Sequence, residues 1–363
     1  MDDFFSKDLD IKERKLEHIR IILEEDVSHK VSNWFEYVYL LHNSLPELSL
    51  NKLDLSVKFL GRTFSYPILI DSMTGGVKGT EKINMKLAEV ASKYNIPMSC
   101  GSQKAALKDP SVKYTYRVIR EVSKDIFLIG NIGGHDLRED PRGIAEAVVN
   151  MIDADALAIH LNPLQEAIQT GDINYEKVIE TIEMVVDSVS VPIIVKETGA
   201  GISMSVAKAL ESIGVSAINI AGVGGTSWSA VEAKRHLRSN NRLMAEVGES
   251  FRNWGIPTAA SLIEVVNSVN IPVIASGGVR NGIEILKSLV LGARLAGMAS
   301  PFLKSLSKGE GELDYFLNKV IMELKIGMFL VGSPNIDRLK EVPYVLLGPL
   351  RDWVIQRGVI NEV

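Results

Sequence analysis

The chain has 363 residues, of which 46% are hydrophobic and 23% charged, and its formal net charge is −5. That composition excludes disorder and supplies apolar material for a large core. The negative balance exerts no long-range pull on nucleic acid or anionic lipid, so any phosphate-bearing partner has to be held by a local cluster of positive groups, which points to a small ligand. The single cysteine, Cys100, can form neither an internal disulfide nor a multi-thiolate metal site and reads as a small buried residue in a reducing, cytoplasmic compartment. The N-terminal stretch "MDDFFSKDLDIKERKLEHIR" lacks the apolar core of a signal peptide, and no uninterrupted apolar run of about 18 residues occurs, so no membrane span is expected.

The first expected element is an amphipathic helix from about Ile11 to Glu25, within an N-terminal helical extension over residues 1–54. Next, "LSVKFLGRTFSYP" (55–67) reads as a hairpin with Gly61 at its turn, suited to plug the bottom of a barrel. Eight short apolar strand candidates with turn signals behind them follow. They are "YPILIDSMTGG" (66–76), "IPMSCGSQ" (96–103), "IFLIGNIGG" (126–134), "DALAIHLN" (155–162), "VPIIVKETG" (191–199), "SAINIAGVGG" (216–225), "IPVIASGGV" (271–279) and "ARLAGMASP" (293–301). Amphipathic helical patterns such as "EKINMKLAEVASKY", "ISMSVAKALESI" and "NGIEILKSLVLG" lie between most of them.

Continuous apolar strands alternating with helices imply a parallel sheet covered on its outer face, and eight such units close a barrel. The expected fold class is therefore α/β: one (β/α)8 TIM barrel domain over residues 1–363, with the N-terminal helical extension and an extended loop after strand six. An open doubly wound sheet would need a Gly-rich fingerprint directly after the first strand with an acidic residue about 20 further on, and "SMTGGVKG" does not fit it. Residues 224–258 lengthen the sixth connection and read as an active-site lid.

In such a barrel the carboxyl ends of the strands and the loops behind them form the active site. Polar and glycine residues gather there: Ser72, Met73, Thr74 and Gly75 after the first strand, Ser102 and Gln103 after the second, and Asn131 at the third. His160, Asn162, Gln165 and Glu166 follow the fourth, Lys196 and Glu197 end the fifth, and Gly224, Gly225 and Thr226 end the sixth. In "SGGVRNG" (276–282), Gly277 and Gly278 admit an anion close to the backbone, Arg280 offers charge-assisted bonds, and a helix starting near Asn281 aims free N–H groups at the same spot. Ala296 and Gly297 of "LAGMA" (295–299) add room and donors. This is the position of the barrel's phosphate site, suited to a flavin mononucleotide or a sugar phosphate; the plainer reading is that the glycines only make a tight turn.

Lys196 follows five apolar residues and requires an anion over the barrel mouth, either a ligand such as a reduced isoalloxazine or a neighbouring carboxylate such as Glu197. Gln165 and Glu166 are adjacent and point in different directions, so one can serve a metal while the other faces substrate. A single carboxylate that completes its shell with waters and phosphates is the usual arrangement for Mg2+; a solvated carboxylate near a helix start is the alternative. His160 also reads as a satisfied core imidazole. Arg14 and His18, at i and i+4 with Lys15 on the same helix, share a face, and such charges are most often solvated.

Taken together, "RKLEHI" (14–19), "SMTGG" (72–76), "GSQ" (101–103), "GNIGG" (130–134), "HLNPLQE" (160–166), "KETGAGIS" (196–203), "GGTSW" (224–228), "WGIPT" (254–258) and "SGGVRNG" resemble one family, the type 2, flavin-dependent isopentenyl diphosphate isomerases. The resemblance spans nearly the whole chain. It implies an allylic proton shift from isopentenyl to dimethylallyl diphosphate with reduced FMN and Mg2+, NAD(P)H being the priming reductant and net redox change being absent. It further implies that the flavin serves as acid/base with Gln165 as its partner, His160 standing beside them. Glu166 would hold Mg2+ against the diphosphate. Arg14, Lys15, His18, Ser102, Gln103, His160 and Asn162 would surround the substrate, and Ser72, Met73, Thr74, Gly75, Ser102, Asn131, Lys196, Thr226, Gly277, Gly278, Arg280, Ala296 and Gly297 would contact FMN. Members are similar in forming homotetramers or larger homo-oligomers. Where many relatives carry Arg after "GSQ", this chain has Lys104, which lacks the bidentate fork.

An FMN-dependent 2-hydroxy acid oxidase or dehydrogenase would share barrel and lysine but needs a catalytic His with a nearby Arg after a late strand; "AKRHLR" (233–238) is the nearby candidate. A flavin-binding module without turnover would have little use for Gln165 and Glu166.

Overall fold

The computed structural model describes residues 14–169, 173–309 and 311–359. Eight short strands pair in parallel and close on themselves. They are Ile68–Ile70 (β1), Met98–Ser99 (β2), Leu128–Gly133 (β3), Ala156–Leu161 (β4), Ile193–Glu197 (β5), Ala217–Asn219 (β6), Val273–Ala275 (β7) and Leu295–Met298 (β8). Closure comes from β8 lying beside β1, with Ala296, Gly297 and Met298 opposite Ile68, Leu69 and Ile70. The strands read as unbroken apolar runs because barrel interior and helix layer cover both faces, so alternation has no solvent side to report. Every strand residue is buried except the last two of β4, His160 and Leu161. Burial thus gives way at the strand end that carries the densest polar cluster in the sequence.

The hairpin forms as expected: Val57–Phe59 pairs antiparallel with Arg62–Phe64. Leu60 and Gly61 both take positive φ, 44° and 78°, as a two-residue turn matched to strand twist requires. Val57, Phe59 and Phe64 are buried. Arg294 donates to Lys58 O at 2.6 Å, and Ser65 N donates to Asn95 O at 3.1 Å. Arg294 and Asn95 lie just before β8 and β2, so the hairpin caps the amino-terminal end of the barrel.

The N-terminal extension departs from the expected helical run. One helix covers residues 14–24, and the stretch from Ile11 to Glu13 lies outside the described residues. The remainder is two short 3-10 turns and a strand, Val38–Leu40, that pairs antiparallel with Tyr344–Leu346. Ser44, Pro46, Ser49 and Asn51 supply turn chemistry where a helix would need an apolar stripe. The sixth connection also differs from an extended loop, because Trp228–Arg238 and Arg242–Ser250 are helices packed on each other. Ile21 and Val27 join Ala230 and Val231 in a small apolar cluster apart from the main core, which ties the N-terminal helix to this connection. No helix among the described residues is long and apolar enough to cross a membrane.

If the hairpin completes the core, Phe64→Ala removes a ring that is 1% exposed and packs edge-on against Phe127. The expected cost is about 3–5 kcal/mol, read as a lowered melting temperature; a change typical of a surface site would show that the barrel bottom is closed without it.

Candidate active site

At the carboxyl ends of the strands the loops enclose a cavity of about 460 Å³, within the range of small-molecule sites. Arg14, Lys15, His18, Ser72, Met73, Thr74, Ser102, Asn131, His160, Asn162, Gln165, Glu166, Lys196, Thr226, Gly277, Gly278, Arg280 and Gly297 all line it. Three expected residues do not. Gln103 is fully buried and turns outward between strands, where its amide donates to Val148 O at 2.9 Å and accepts from Asn131 N at 3.0 Å. Gly75 faces the Tyr116 ring, so close that a Cβ would lie 2.1 Å from a ring carbon. Ala296 alternates with the cavity-lining Gly297 and points to the helix layer.

Lys196, 6% exposed, finds its countercharge in Asp71 at the end of β1, 3.8 Å from its Nζ, and donates to the Glu197 carbonyl at 2.9 Å. The Glu197 carboxylate is not its partner; it accepts from the backbone N–H groups of Thr198, Gly199 and Ala200. Asp71 also accepts from Asn219 at 2.9 Å, and Ser276 donates to Asn219 at 2.6 Å. Strands β1, β5, β6 and β7 therefore contribute to one buried polar chain. Asp71 and Asn219 were legible as polar residues closing the apolar runs "ILID" and "AIN", though sequence reasoning passed them over. Gly297 leaves room above them: a Cβ there would sit 3.0 Å from Ser276 Cβ and 3.3 Å from Asp71 Oδ2.

The end of β4 is organised by Asn162, which precedes the helix Pro163–Gln169. Its amide donates to Gln165 Oε1 at 3.2 Å and Glu166 Oε1 at 3.0 Å, while Tyr175 donates to its Oδ1 at 2.9 Å. Both residues of the Gln–Glu pair are thereby fixed at the cavity wall. His160 Nδ1 lies 2.9 Å from Asn131 Oδ1. Asn131 commits its amide N–H to Cys100 O, so His160 Nδ1 carries the proton and Nε2 the lone pair. Burial lowers the His160 pKa to about 3, so the ring is neutral at physiological pH. Burial likewise pushes the Cys100 thiol up to about 12, which makes it inert.

Gly277 and Gly278 take φ of 100° and 77°. A Cβ on Gly277 would lie 2.1 Å from Gly222 O, and one on Gly278 2.4 Å from Gly224 carbonyl atoms, so the glycines let the loops after β6 and β7 press together. The expected role of the following helix is not what the geometry gives. Its first N–H groups are used within the protein: Gly282 N donates to Glu323 at 2.8 Å and Glu284 N to Asn281 at 2.8 Å. Arg280 likewise donates to Gly278 O at 2.6 Å and Gly224 O at 2.5 Å. The cavity-lining N–H groups of Gly278, Val279, Ala299 and Ser300 have no acceptor among the described residues. These four N–H groups, rather than those of the helix, are left open to an anion.

The N-terminal helix crosses the mouth. Lys15 Nζ donates to Gly75 O and Ser102 O at 2.8 Å each and to Tyr116 Oη at 3.0 Å. Burial, with the charge of Arg14, lowers its pKa to about 7. One turn on, His18 Nε2 lies 2.8 Å from Glu232 Oε1. Burial works to raise Glu232, but bonds from His18 and Arg235 outweigh it and hold the carboxyl at about 2. Gln165 Nε2 reaches the same Glu232 oxygen at 3.5 Å. On the opposite wall Lys104 pairs with Asp136 at 2.5 Å. Glu232, Asp136 and Tyr116 carry no local sequence signal, since their partners come from distant segments. Among the described residues no cluster of three or more His, Cys, Asp or Glu side chains can hold a metal alone.

The family model of FMN-dependent dehydrogenases matches residues 145–344. The chain is similar to the isopentenyl-diphosphate delta-isomerase of Pyrococcus furiosus, with 46% identity over 96% of this chain and 90% of that one. It is also similar to the enzymes of that name from Methanothermobacter thermautotrophicus (45%, covering 96% and 97%) and Halobacterium salinarum (47%, covering 95% and 96%). Among solved structures, a flavocytochrome b2 variant with pyruvate bound superposes with a TM-score of 0.65 at 16% identity, covering 95% of this chain and 88% of that one. A mandelate oxidase variant with an FMN monooxide adduct gives 0.63 at 15%, covering 90% and 95%. At those identities the likeness establishes the barrel alone.

Two outcomes follow from the geometry. Gly277→Ala adds overlap to an unfavourable φ and should cost about 2–4 kcal/mol, whereas Gly61→Ala, with open space around it, should cost about 1 kcal/mol; equal melting temperatures for the two would contradict the close loop contact. His160, observed by NMR of labelled histidine, should show no titration between pH 5 and 8, because protonation sets in only near its lowered value of about 3. With the folded value below the unfolded one, this residue withdraws stability as pH falls through about 6.5.

Proposed function

The chain belongs to the isopentenyl-diphosphate delta-isomerase family, in its type 2, FMN-dependent form, and from that membership we propose how its own residues divide the work of moving the double bond of isopentenyl diphosphate to give dimethylallyl diphosphate. FMN fits the cavity: the crowded glycines of the loops after β6 and β7 leave a backbone-lined floor, and four N–H groups stand ready for a phosphate. When bound and reduced, FMN supplies acid/base chemistry at the alkene. Lys196, already neutralised in part by Asp71, offers a fixed positive charge where the ring would gain electron density. NAD(P)H is the expected reductant.

The observation that carries this reading is the placement of Gln165 and Glu166 on one helical turn, both held by Asn162. Glu166 would take Mg2+ together with waters and diphosphate oxygens, the pattern expected when no all-protein cage exists. Gln165 Nε2 reaches toward Glu232, a carboxylate kept ionised by His18 and Arg235, while its Oε1 accepts from Asn162, so the amide is oriented from both ends where a proton has to be handled. Arg14 provides positive charge at the mouth for a diphosphate, with Lys15 beside it fastening the helix that carries both. Neutral His160 donates from Nδ1 to Asn131 and keeps a lone pair on Nε2. The helices at 228–250, pinned by helix 14–24, are read as the lid that excludes water. The enzyme is expected to act in the cytoplasm as a homotetramer or larger assembly.

The 2-hydroxy acid reading is weaker because His236, its candidate base, donates from Nε2 to Ile168 O, 2.7 Å away, and does not line the cavity.

The purified protein should show flavin absorbance that NADH bleaches, and with isopentenyl diphosphate and Mg2+ in D2O it should give deuterated dimethylallyl diphosphate with no steady NADH loss. Gln165→Ala should cut kcat about 100-fold or more with flavin retained, and Glu166→Gln should raise the Mg2+ requirement about tenfold. Steady oxidation of a hydroxy acid, or full activity in both variants, would overturn the reading.

A further inference from the structure

We propose that Tyr116 is a positioning residue for this site, acting through Lys15 to fasten the N-terminal helix across the cavity mouth; the proposal rests on the reading that the mouth takes the diphosphate. Tyr116 lies on the helix Tyr114–Val122 that follows β2, is 0% exposed and does not line the cavity. It therefore touches neither substrate nor cofactor directly.

Its hydroxyl has two jobs that fit together. It donates to Ser102 O at 2.5 Å, which leaves its lone pairs to accept from Lys15 Nζ at 3.0 Å. With Gly75 O and Ser102 O, the three N–H donors of the Lys15 ammonium then have three acceptors. The groups that face this ammonium are Arg14 on its own helix, Cys100 at the end of β2, Asp136 in the loop after β3 and Tyr116 itself. Only the last offers a side-chain hydrogen bond.

The ring has a separate role. A Cβ at Gly75 would lie 2.1 Å from a Tyr116 ring carbon, and one at Gly76 would lie 2.7 Å from its hydroxyl oxygen. The ring thus backs the loop after β1, whose Met73 and Thr74 line the cavity, while the oxygen secures the helix above. Helix 14–24 is held at Lys15 on the β1–β2 side and at His18 by Glu232 on the β6 side. Releasing one end leaves a strap attached at the other.

Tyr116→Phe deletes the oxygen and keeps the ring, so the fold and flavin content should be unchanged. In the FMN-loaded protein without substrate, hydrogen exchange at the amides of residues 18–24 should speed up about tenfold. With isopentenyl diphosphate, KM should rise about tenfold while kcat stays within about threefold. In a Lys15→Met background the same change should add nothing to either readout. Unchanged exchange in Tyr116→Phe, an effect that persists without Lys15, or loss of flavin would each overturn the proposal. Because exchange is measured without substrate, it decides the matter even if the wild-type protein fails to isomerise isopentenyl diphosphate.

Discussion

A lysine ammonium at the end of a fully buried strand is the constraint from which this site is built. Lys196 cannot remain charged among apolar side chains unless the protein supplies countercharge and acceptors. The solution recruits Asp71 from β1, and Asp71 in turn is held by Asn219, which is held by Ser276. Four strands that are otherwise packed by apolar contact are registered against one another by this chain of polar groups. Gly297 follows from it, because any side chain there would crowd Asp71 and Ser276.

Above that layer three charged or polar groups are each held in one state. Glu232 stays ionised because His18 and Arg235 face it, His160 stays neutral because it is buried, and Asp136 is committed to Lys104. A flavin-dependent isomerase has to move protons at one locus of an unreactive alkene without letting neighbouring groups exchange them freely. A mouth in which most titratable side chains already have fixed partners meets that need.

The barrel was readable in the sequence because strands buried on both faces appear as unbroken apolar runs, and because the polar residues that end them all fall at the same end of the fold. That logic located His160, Asn162, Gln165 and Glu166 and the glycines after β7. It failed where side-chain direction within a turn decides the outcome, as for Gln103, which turns outward next to the inward Ser102, and for Ala296 next to Gly297. It was also blind to partners distant in sequence: Glu232 meets His18, and Tyr116 meets Lys15, with nothing local to either residue announcing the meeting. The helix after Asn281 was misjudged for a related reason, since Glu323 comes from a helix much further along to take up its first N–H.

The pairing of β8 with β1 sets the order in which this protein can come into being. Ile68 emerges from the ribosome long before Ala296, its neighbour in the finished ring. Until that late arrival, the first strand has an open edge able to pair with another chain, and separations this large slow folding. The nascent polypeptide must shelter that edge for most of its synthesis, so the pressure to avoid misassembly falls on the growing chain and its chaperones more than on the completed enzyme.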